Sequence, residues 1–266
     1  MGIKKNLVLG GSGTIGSALC RKLLEVGEEV INLDIKVGYD LRNYNLSKYS
    51  DVDYVWFFAW EVGGARFLYD SKYQLQMLVN NTLLCENIFS FLDRSKVPFM
   101  FASSQLISPE MAYGTTKLLG EKWTQLLNGK IVRFWNVYSW EEPALKSHFI
   151  PDIVYKGLKN SKIELMTSGE EERQLVYVDD CINNLLKART LKENNIHITN
   201  GNWIKIADLA NMIGKKLGIE VILGDKKGYD CKIDPNETYK LFEFNTSVEQ
   251  GLDIIINKAK EYLVIK

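Results

Sequence analysis

The stretch Asn6-Leu7-Val8-Leu9-Gly10-Gly11-Ser12-Gly13-Thr14-Ile15-Gly16 decides the fold of this chain. Its first four residues read as a short buried strand. The glycines that follow sit at intervals of three. Gly10 permits a tight turn, Gly13 lets a pyrophosphate approach the backbone, and Gly16 allows close helix–sheet packing. A helix predicted over Thr14 to Val26 then turns its unsatisfied amides toward the phosphates, with Ile15, Leu19, Leu23 and Val26 along one side. The next strand, Val30 to Asp34, ends in a carboxylate. Asp34 can accept hydrogen bonds from both hydroxyls of an adenosine ribose and would repel a 2′-phosphate, so NAD is expected rather than NADP. Lys36 works slightly against that choice. A glycine-rich turn with no ligand is the plain alternative; its place between strand and helix, with Asp34 beyond, favours a dinucleotide.

Outward from this unit, strand and helix alternate. Strands are expected at Val52–Phe58, Val97–Ala102 and Lys130–Trp135, and long helices at Asp70–Phe91 and Ala112–Leu127. The third strand is continuously apolar after Asp53, as a parallel sheet covered on both faces requires. Beyond Tyr138 the rhythm loosens. Helices are expected at Ile150–Leu158, Ile206–Leu217 and Val248–Tyr262, with short strands at Ile163–Met166 and near Ile196–Thr199. The predicted fold is α/β, a doubly wound parallel sheet of Rossmann type with a smaller C-terminal α/β lobe. We expect residues 1–142 to bind NAD and 143–266 to form mainly a substrate-binding lobe, partly interleaved with the first.

Bulk properties exclude several classes. Lys+Arg and Asp+Glu are equal at 33 each, so no basic surface marks a nucleic-acid partner. No uncharged window reaches membrane-spanning length, and no signal peptide fits the first residues. Cys20, Cys85, Cys181 and Cys231 show neither metal-ligand spacing nor a disulfide pattern, which fits a reducing, cytoplasmic location. With only two histidines, His148 and His197, a zinc site is not expected.

The chemistry is read from Tyr113-Gly114-Thr115-Thr116-Lys117. Tyr113 and Lys117 share a helix face. A neighbouring ammonium and a positive nicotinamide both favour phenolate, and Lys117 can also hold the nicotinamide ribose. Ser104, at a strand end where sheet ligands collect, can bond to the substrate oxygen that Tyr113 deprotonates. A base and a hydride acceptor then reach one carbinol. Each residue alone also has a plain role in packing, solvent exposure or turn capping. Asn80 and Asn81 interrupt an apolar helix, either to position the lysine or as simple surface polarity. Glu61-Val62-Gly63-Gly64 follows the third strand, where two glycines suggest close approach to a ligand. Thr14, Ile15 and Ala59 complete the candidate cofactor contacts. Asp40 and Leu41 are candidates for the adenine, Asp40 toward its amine and Leu41 against its ring; an ordinary loop carboxylate is the alternative for Asp40. Trp56, Trp60, Trp135 and Trp140 are candidates to line a sugar pocket, with core packing an equal reading for Trp56.

Together these residues resemble the extended short-chain dehydrogenase/reductase family, in its NAD-dependent nucleotide-sugar epimerase/dehydratase group. The resemblance covers nearly the whole chain. Gly10-x-x-Gly13-x-x-Gly16, Asp34, Asp40-Leu41, Ser103-Ser104 and Tyr113-x-x-x-Lys117 match in order. So do Arg133-Phe134-Trp135-Asn136-Val137-Tyr138, His148-Phe149-Ile150-Pro151, and Arg173-Gln174-Leu175-Val176-Tyr177-Val178-Asp179-Asp180. The resemblance implies that Asn136 contacts the substrate phosphates and that Arg173 clamps the diphosphate, where a guanidinium fork suits the task. Pairing with Glu170, Glu171 or Glu172 is the plain alternative for Arg173. Gly63, Gly64, Ser104 and His148 join them as candidate substrate contacts. The resemblance also implies a homodimer through the two long helices.

Departures from the family shape the expected reaction. Only Gln105 to Ala112 separate Ser104 from Tyr113, where the family usually carries a far longer loop. Gln105 and Leu106 stand where 4,6-dehydratases place Asp-Glu, so dehydration is disfavoured. Val62-Gly63-Gly64 is similar to a segment of the GDP-sugar 3,5-epimerases, but no Cys lies near Ser104. The remaining expectation is redox at C4 of a nucleotide-diphosphate sugar, as 4-epimerase or 4-dehydrogenase. The alternatives are a 4-ketoreductase, a 4,6-dehydratase, or a non-catalytic NAD-binding regulator.

Overall fold

A computed structural model describes residues 3–229 and 233–265; Cys231 lies outside them. In chain order the elements begin with β1 (Lys5–Leu9), α1 (Thr14–Glu25), β2 (Glu29–Leu33), β3 (Tyr54–Phe57), α2 (Ala65–Leu68), α3 (Ser71–Ser95), β4 (Phe99–Ser104) and α4 (Ala112–Leu126). There follow β5 (Lys130–Phe134), β6 (Val137–Tyr138), α5 (Phe149–Asn160), β7 (Lys162–Glu164), β8 (Glu172–Gln174), β9 (Val176–Tyr177) and α6 (Val178–Thr190). The last are β10 (Asn195–Ile198), β11 (Trp203–Lys205), α7 (Ile206–Leu217), β12 (Glu220–Ile222) and α8 (Val248–Ile265). The chain divides into two compact units. One comprises Met1–Val62, Phe67–Phe134 and Ile182–His197; the other comprises Gly63–Arg66, Trp135–Cys181 and Ile198–Lys266.

The first unit is built on a six-stranded sheet of order β10-β5-β4-β3-β1-β2. The pairs from β2 through β5 are parallel. Every residue of β3 and β4 is buried, as strands covered on both faces must be. The chain leaves β1 toward β2 on one side and returns to β3 on the other. The carboxyl ends of β1 and β3 therefore flank the crevice where open α/β sheets bind their ligands. Asp70 caps α3 by accepting the Lys72 amide at 2.9 Å. In α1, Leu19 and Leu23 are buried, but Val26 falls beyond the helix end and is exposed. Two elements differ from expectation. The strand near residue 196 forms the outer strand of the large sheet, and a helix, α6, follows β9. Its first turn holds Asp179 and Asp180, whose motif had masked the helical spacing of Ile182, Leu185 and Leu186.

The second unit carries three two-stranded pairs, β11–β8, β12–β7 and β6–β9, with α5, α7 and α8 packed among them. Asp180 accepts the amides of Asn245 and Thr246 at 3.1 and 2.8 Å, fixing the approach to α8. Trp135 is buried against the edge of Trp203, and Trp140 packs on Tyr262. Trp56 is a core residue of the first unit whose indole donates to Asn6 at 2.9 Å. No helix of the described residues is long and apolar enough to cross a membrane.

Arg189 at the end of α6 forks onto Glu28 with both contacts at 2.7 Å, and its guanidinium lies 5.6 Å from the Trp56 ring centre. Both side chains are largely buried. Arg189→Met leaves Glu28 without its partner and should cost roughly 2–4 kcal/mol in urea unfolding at pH 7. Arg189 holds the Glu28 carboxyl below its ordinary 4.5. A depressed carboxylate stabilises the fold above its unfolded pKa and loses that contribution as pH falls through the folded value. The difference between wild type and variant should therefore shrink in acid; equal stability at neutral pH would refute the role.

Candidate active site

The phosphate loop is shaped by close backbone approaches. Gly10 has φ +89°, and a Cβ there would lie 2.5 Å from the Ala59 amide nitrogen at the end of β3. A Cβ on Gly16 would meet the Gly10 carbonyl oxygen at 2.2 Å. At Gly13 the nearest atom to such a Cβ is the Gly10 oxygen at 3.5 Å, so the space above this residue is open. Gly13 is the N-cap of α1 and gives no side-chain cap, leaving the helix N-terminus, with Thr14 and Ile15, toward that space. Asp34, buried at the end of β2, accepts the amides of Ser12 at 3.0 Å and Lys36 at 2.8 Å. A carboxylate has about four acceptor positions, so Asp34 is oriented by the backbone and keeps capacity for ribose hydroxyls. The Lys36 ammonium is engaged by the Ser12 carbonyl at 3.1 Å. These residues fit a dinucleotide.

The expected adenine contacts sit differently. Leu41 is buried in the hydrophobic core, so its side chain offers little surface to a ring. Asp40 is gripped by Arg42 through contacts of 2.8 and 2.6 Å, which hold its carboxyl below the ordinary range. Arg42 also donates to Asn80 at 2.8 Å, and Asn80 to Glu61 at 3.1 Å.

Three consecutive residues of β4 each engage a different turn of α4. The Ala102 carbonyl accepts the Lys117 ammonium at 2.5 Å. Ser103 donates to Glu121 at 2.6 Å. Ser104 shares a hydrogen bond with the Tyr113 phenol and accepts the Leu106 amide at 3.0 Å. Ser104, Tyr113, Lys117 and Glu121 are all buried. In this setting burial works against the expected depression of the phenol. Burial pushes Tyr113 up to about 12, partly offset by Ser104, and pushes Lys117 down to about 7.

Sequence reasoning missed Glu121. It accepts Arg133 through contacts of 2.7 and 2.6 Å, so the arginine of the Arg-x-x-Asn-Val-Tyr segment braces β5 against α4. Its signal was a carboxylate one turn past Lys117 on the same helix face. His197 lies near this pair, and burial lowers it to about 4. Asn81, buried, accepts the Glu61 amide at 2.7 Å and donates to Thr116 at 3.3 Å, steadying the residue before Lys117. The short 105–112 loop folds onto α4: a Cβ at Gly114 would meet the Ser108 oxygen at 2.0 Å.

The substrate candidates of the second unit have defined partners. Asn136 donates to the Gln174 carbonyl at 3.4 Å. Arg173 donates to the carbonyls of Glu172 and Tyr229, each at 2.7 Å. His148 caps α5 and contacts Glu141 at 3.0 Å through its ring. Gly63 and Gly64 are buried, and a Cβ at Gly64 would meet the Ser147 oxygen at 2.2 Å. The chain's own backbone thus explains that glycine.

A doubly wound sheet with an open glycine loop at its switch point, and a buried Ser–Tyr–Lys set at the end of β4, defines an NAD-dependent enzyme of Rossmann type. Residues 6–200 match the NAD dependent epimerase/dehydratase family, and the chain belongs to it. It is 25% identical over 250 residues to a Methanocaldococcus jannaschii protein provisionally named UDP-glucose 4-epimerase, covering 80% of this chain and 82% of that one. It is 24% identical to an uncharacterized UDP-glucose epimerase of Bacillus subtilis, over 67% and 70% of the two chains. Among solved structures, the NAD-dependent NDP-hexosamine 5,6-dehydratase TunA superposes with a TM-score of 0.85 at 19% identity, covering 97% and 98%. The Bacillus cereus UDP-glucuronic acid 4-epimerase with NAD and a UDP-sugar gives 0.83 at 22%, covering 97% and 99%.

Gly114→Ala forces the loop off the helix start and should cost roughly 1–3 kcal/mol in chemical unfolding. Turnover should fall further than stability explains, because the displaced turn carries Tyr113. Wild-type turnover in a folded Gly114→Ala protein would refute that link.

Proposed function

We propose that this enzyme interconverts UDP-sugars by oxidation and re-reduction at C4, as a 4-epimerase. The observation that carries this reading is the burial of Ser104, Tyr113 and Lys117 together at the end of β4, with the Lys117 ammonium on the Ala102 carbonyl and Tyr113 one helical turn before it. When bound, NAD would supply the hydride acceptor, and inversion would require the sugar to turn so that the hydride comes back to the opposite face of C4. Tyr113 takes the C4 hydroxyl proton as the C–H electrons leave, and gives it back on reduction. Ser104 holds the oxygen through both steps. Lys117, when charged, draws the phenol toward phenolate and holds the nicotinamide ribose. Asn136 and Arg173 bind the diphosphate, and Asp34 binds the adenosine ribose. The UDP-glucose epimerase names of the relatives support the substrate class. Gln105 and Leu106 supply no acid for a leaving hydroxyl, which disfavours the 4,6-dehydratase reading.

The test is incubation with NAD and a panel of UDP-, GDP- and dTDP-sugars, with products weighed by mass spectrometry. An isomer of unchanged mass from a UDP-sugar is the expected result; a product lacking two hydrogens would replace epimerase with 4-dehydrogenase. Tyr113→Phe should lower turnover by at least ~10²-fold while retaining NAD binding by calorimetry. Undiminished turnover in that variant would sink the mechanism.

We further propose a homodimer through α3 and α4. Leu75, Leu78, Val79 and Leu83 of α3, with Leu119 and Leu126 of α4, are exposed at helical spacing, the kind of apolar face that association covers. Leu75→Glu combined with Leu83→Glu should convert a dimer to a monomer in sedimentation velocity; an unchanged sedimentation coefficient would refute this face. The cysteines among the described residues are free, which supports the reducing cytoplasm as the site of action.

A further inference from the structure

We propose that Trp60 is a positioning residue for hydride transfer: its indole face holds the Lys117 ammonium in its charged form within a buried site. The inference deepens the proposed Tyr113–Lys117 chemistry and rests on it. The Lys117 nitrogen lies 4.1 Å from the centre of the Trp60 ring. Phe101 is at 4.9 Å and Tyr113 at 5.7 Å. All three rings fall within the ~6 Å over which an aromatic face attracts a cation.

Cys85 and Glu121 are the side chains facing Lys117 that act against its desolvation. Cys85, from α3, has its thiol pushed up by burial to about 12, so it is neutral at working pH. Glu121, on α4 itself, also faces Lys117, and Arg133 from β5 forks onto the same carboxylate. Tyr113, also on α4, is a neutral phenol in this environment. His197 of β10, near Glu121, is neutral as well. The Ala102 carbonyl and the ring faces join Glu121 in offsetting the desolvation of the ammonium. A neutral amine at this position could not draw Tyr113 toward phenolate.

The ring is placed by packing rather than by its polar edge. Trp60 lies against Phe57 at 5.9 Å and Phe101 at 5.3 Å between centres, and its buried indole N–H has no partner among the described residues. Trp60→Phe therefore loses no hydrogen bond and keeps an aromatic face. Trp60→Leu loses the face.

The test is a pH titration of Lys117 in the protein without added NAD, by NMR of lysine labelled with 13C at Cε. The Lys117 signal is assigned by its loss in Lys117→Arg. Tryptophans with increasing numbers of ring fluorines, placed at position 60 by nonsense suppression, keep the ring's shape while draining its π face. The Lys117 midpoint should fall stepwise with fluorination, by about 0.5–1 pH unit in all. Trp60→Phe should hold most of the wild-type midpoint and Trp60→Leu should sit at the low end. A midpoint that does not move with fluorination, or that rises, overturns the proposal and leaves Trp60 as a simple water shield. The titration needs neither substrate nor turnover. Its failure would leave the C4 reading standing, and failure of the sugar assay would leave the titration result intact.

Discussion

The structure of the first unit turns on how α4 is attached to the end of β4. Lysine is costly to bury, and Lys117 is almost completely enclosed. It is tolerated because its head lies over aromatic rings and reaches the Ala102 carbonyl. The bonds from Ser103 to Glu121 and between Ser104 and Tyr113 extend the same attachment by a turn in each direction. Strand and helix are thereby held in one register. A slip of either element would separate all three pairs, so the geometry of the proposed chemistry follows from a packing constraint.

The Glu121–Arg133 pair belongs to this constraint. A buried ion pair adds little net stability, because desolvating both charges offsets most of their attraction. Its value lies in direction. The guanidinium fork of β5 meets a carboxylate that also accepts Ser103, so three neighbouring elements meet at one planar group. Glycine does the complementary work where backbones approach too closely for any side chain: Gly10 against Ala59, Gly16 against Gly10, and Gly114 against Ser108. The polar contacts pull the elements together, and the glycines permit the resulting separations.

Much of this was legible in the sequence because it is local. The glycine spacing, the apolar strands and the one-turn separation of Tyr113 and Lys117 are short-range patterns, and the strands and long helices of the first half lie where those patterns place them. What could not be read is non-local. Nothing around Leu41 says whether it faces a ligand or the core, since both environments select the same residue. Arg42 holds Asp40 through a neighbour that spacing alone could not weigh. The α6 helix was hidden by a motif read for its charges; β10 was legible as a strand, but its place in the large sheet was not, because a long stretch of chain separates it from β5.

The acid–base chemistry of the site depends on a quantity that spacing does not carry. Proximity of an ammonium to a phenol suggests mutual stabilisation, and the sequence shows proximity directly. It does not show solvent. With both groups buried, desolvation pushes each toward its neutral form. The same burial that removes water also strengthens every remaining electrostatic contact, including aromatic faces that would matter little at a surface. In such a site the rings around the lysine are part of its acid–base chemistry, and a tryptophan that the sequence offers for a sugar pocket becomes one of the groups that set the lysine's charge.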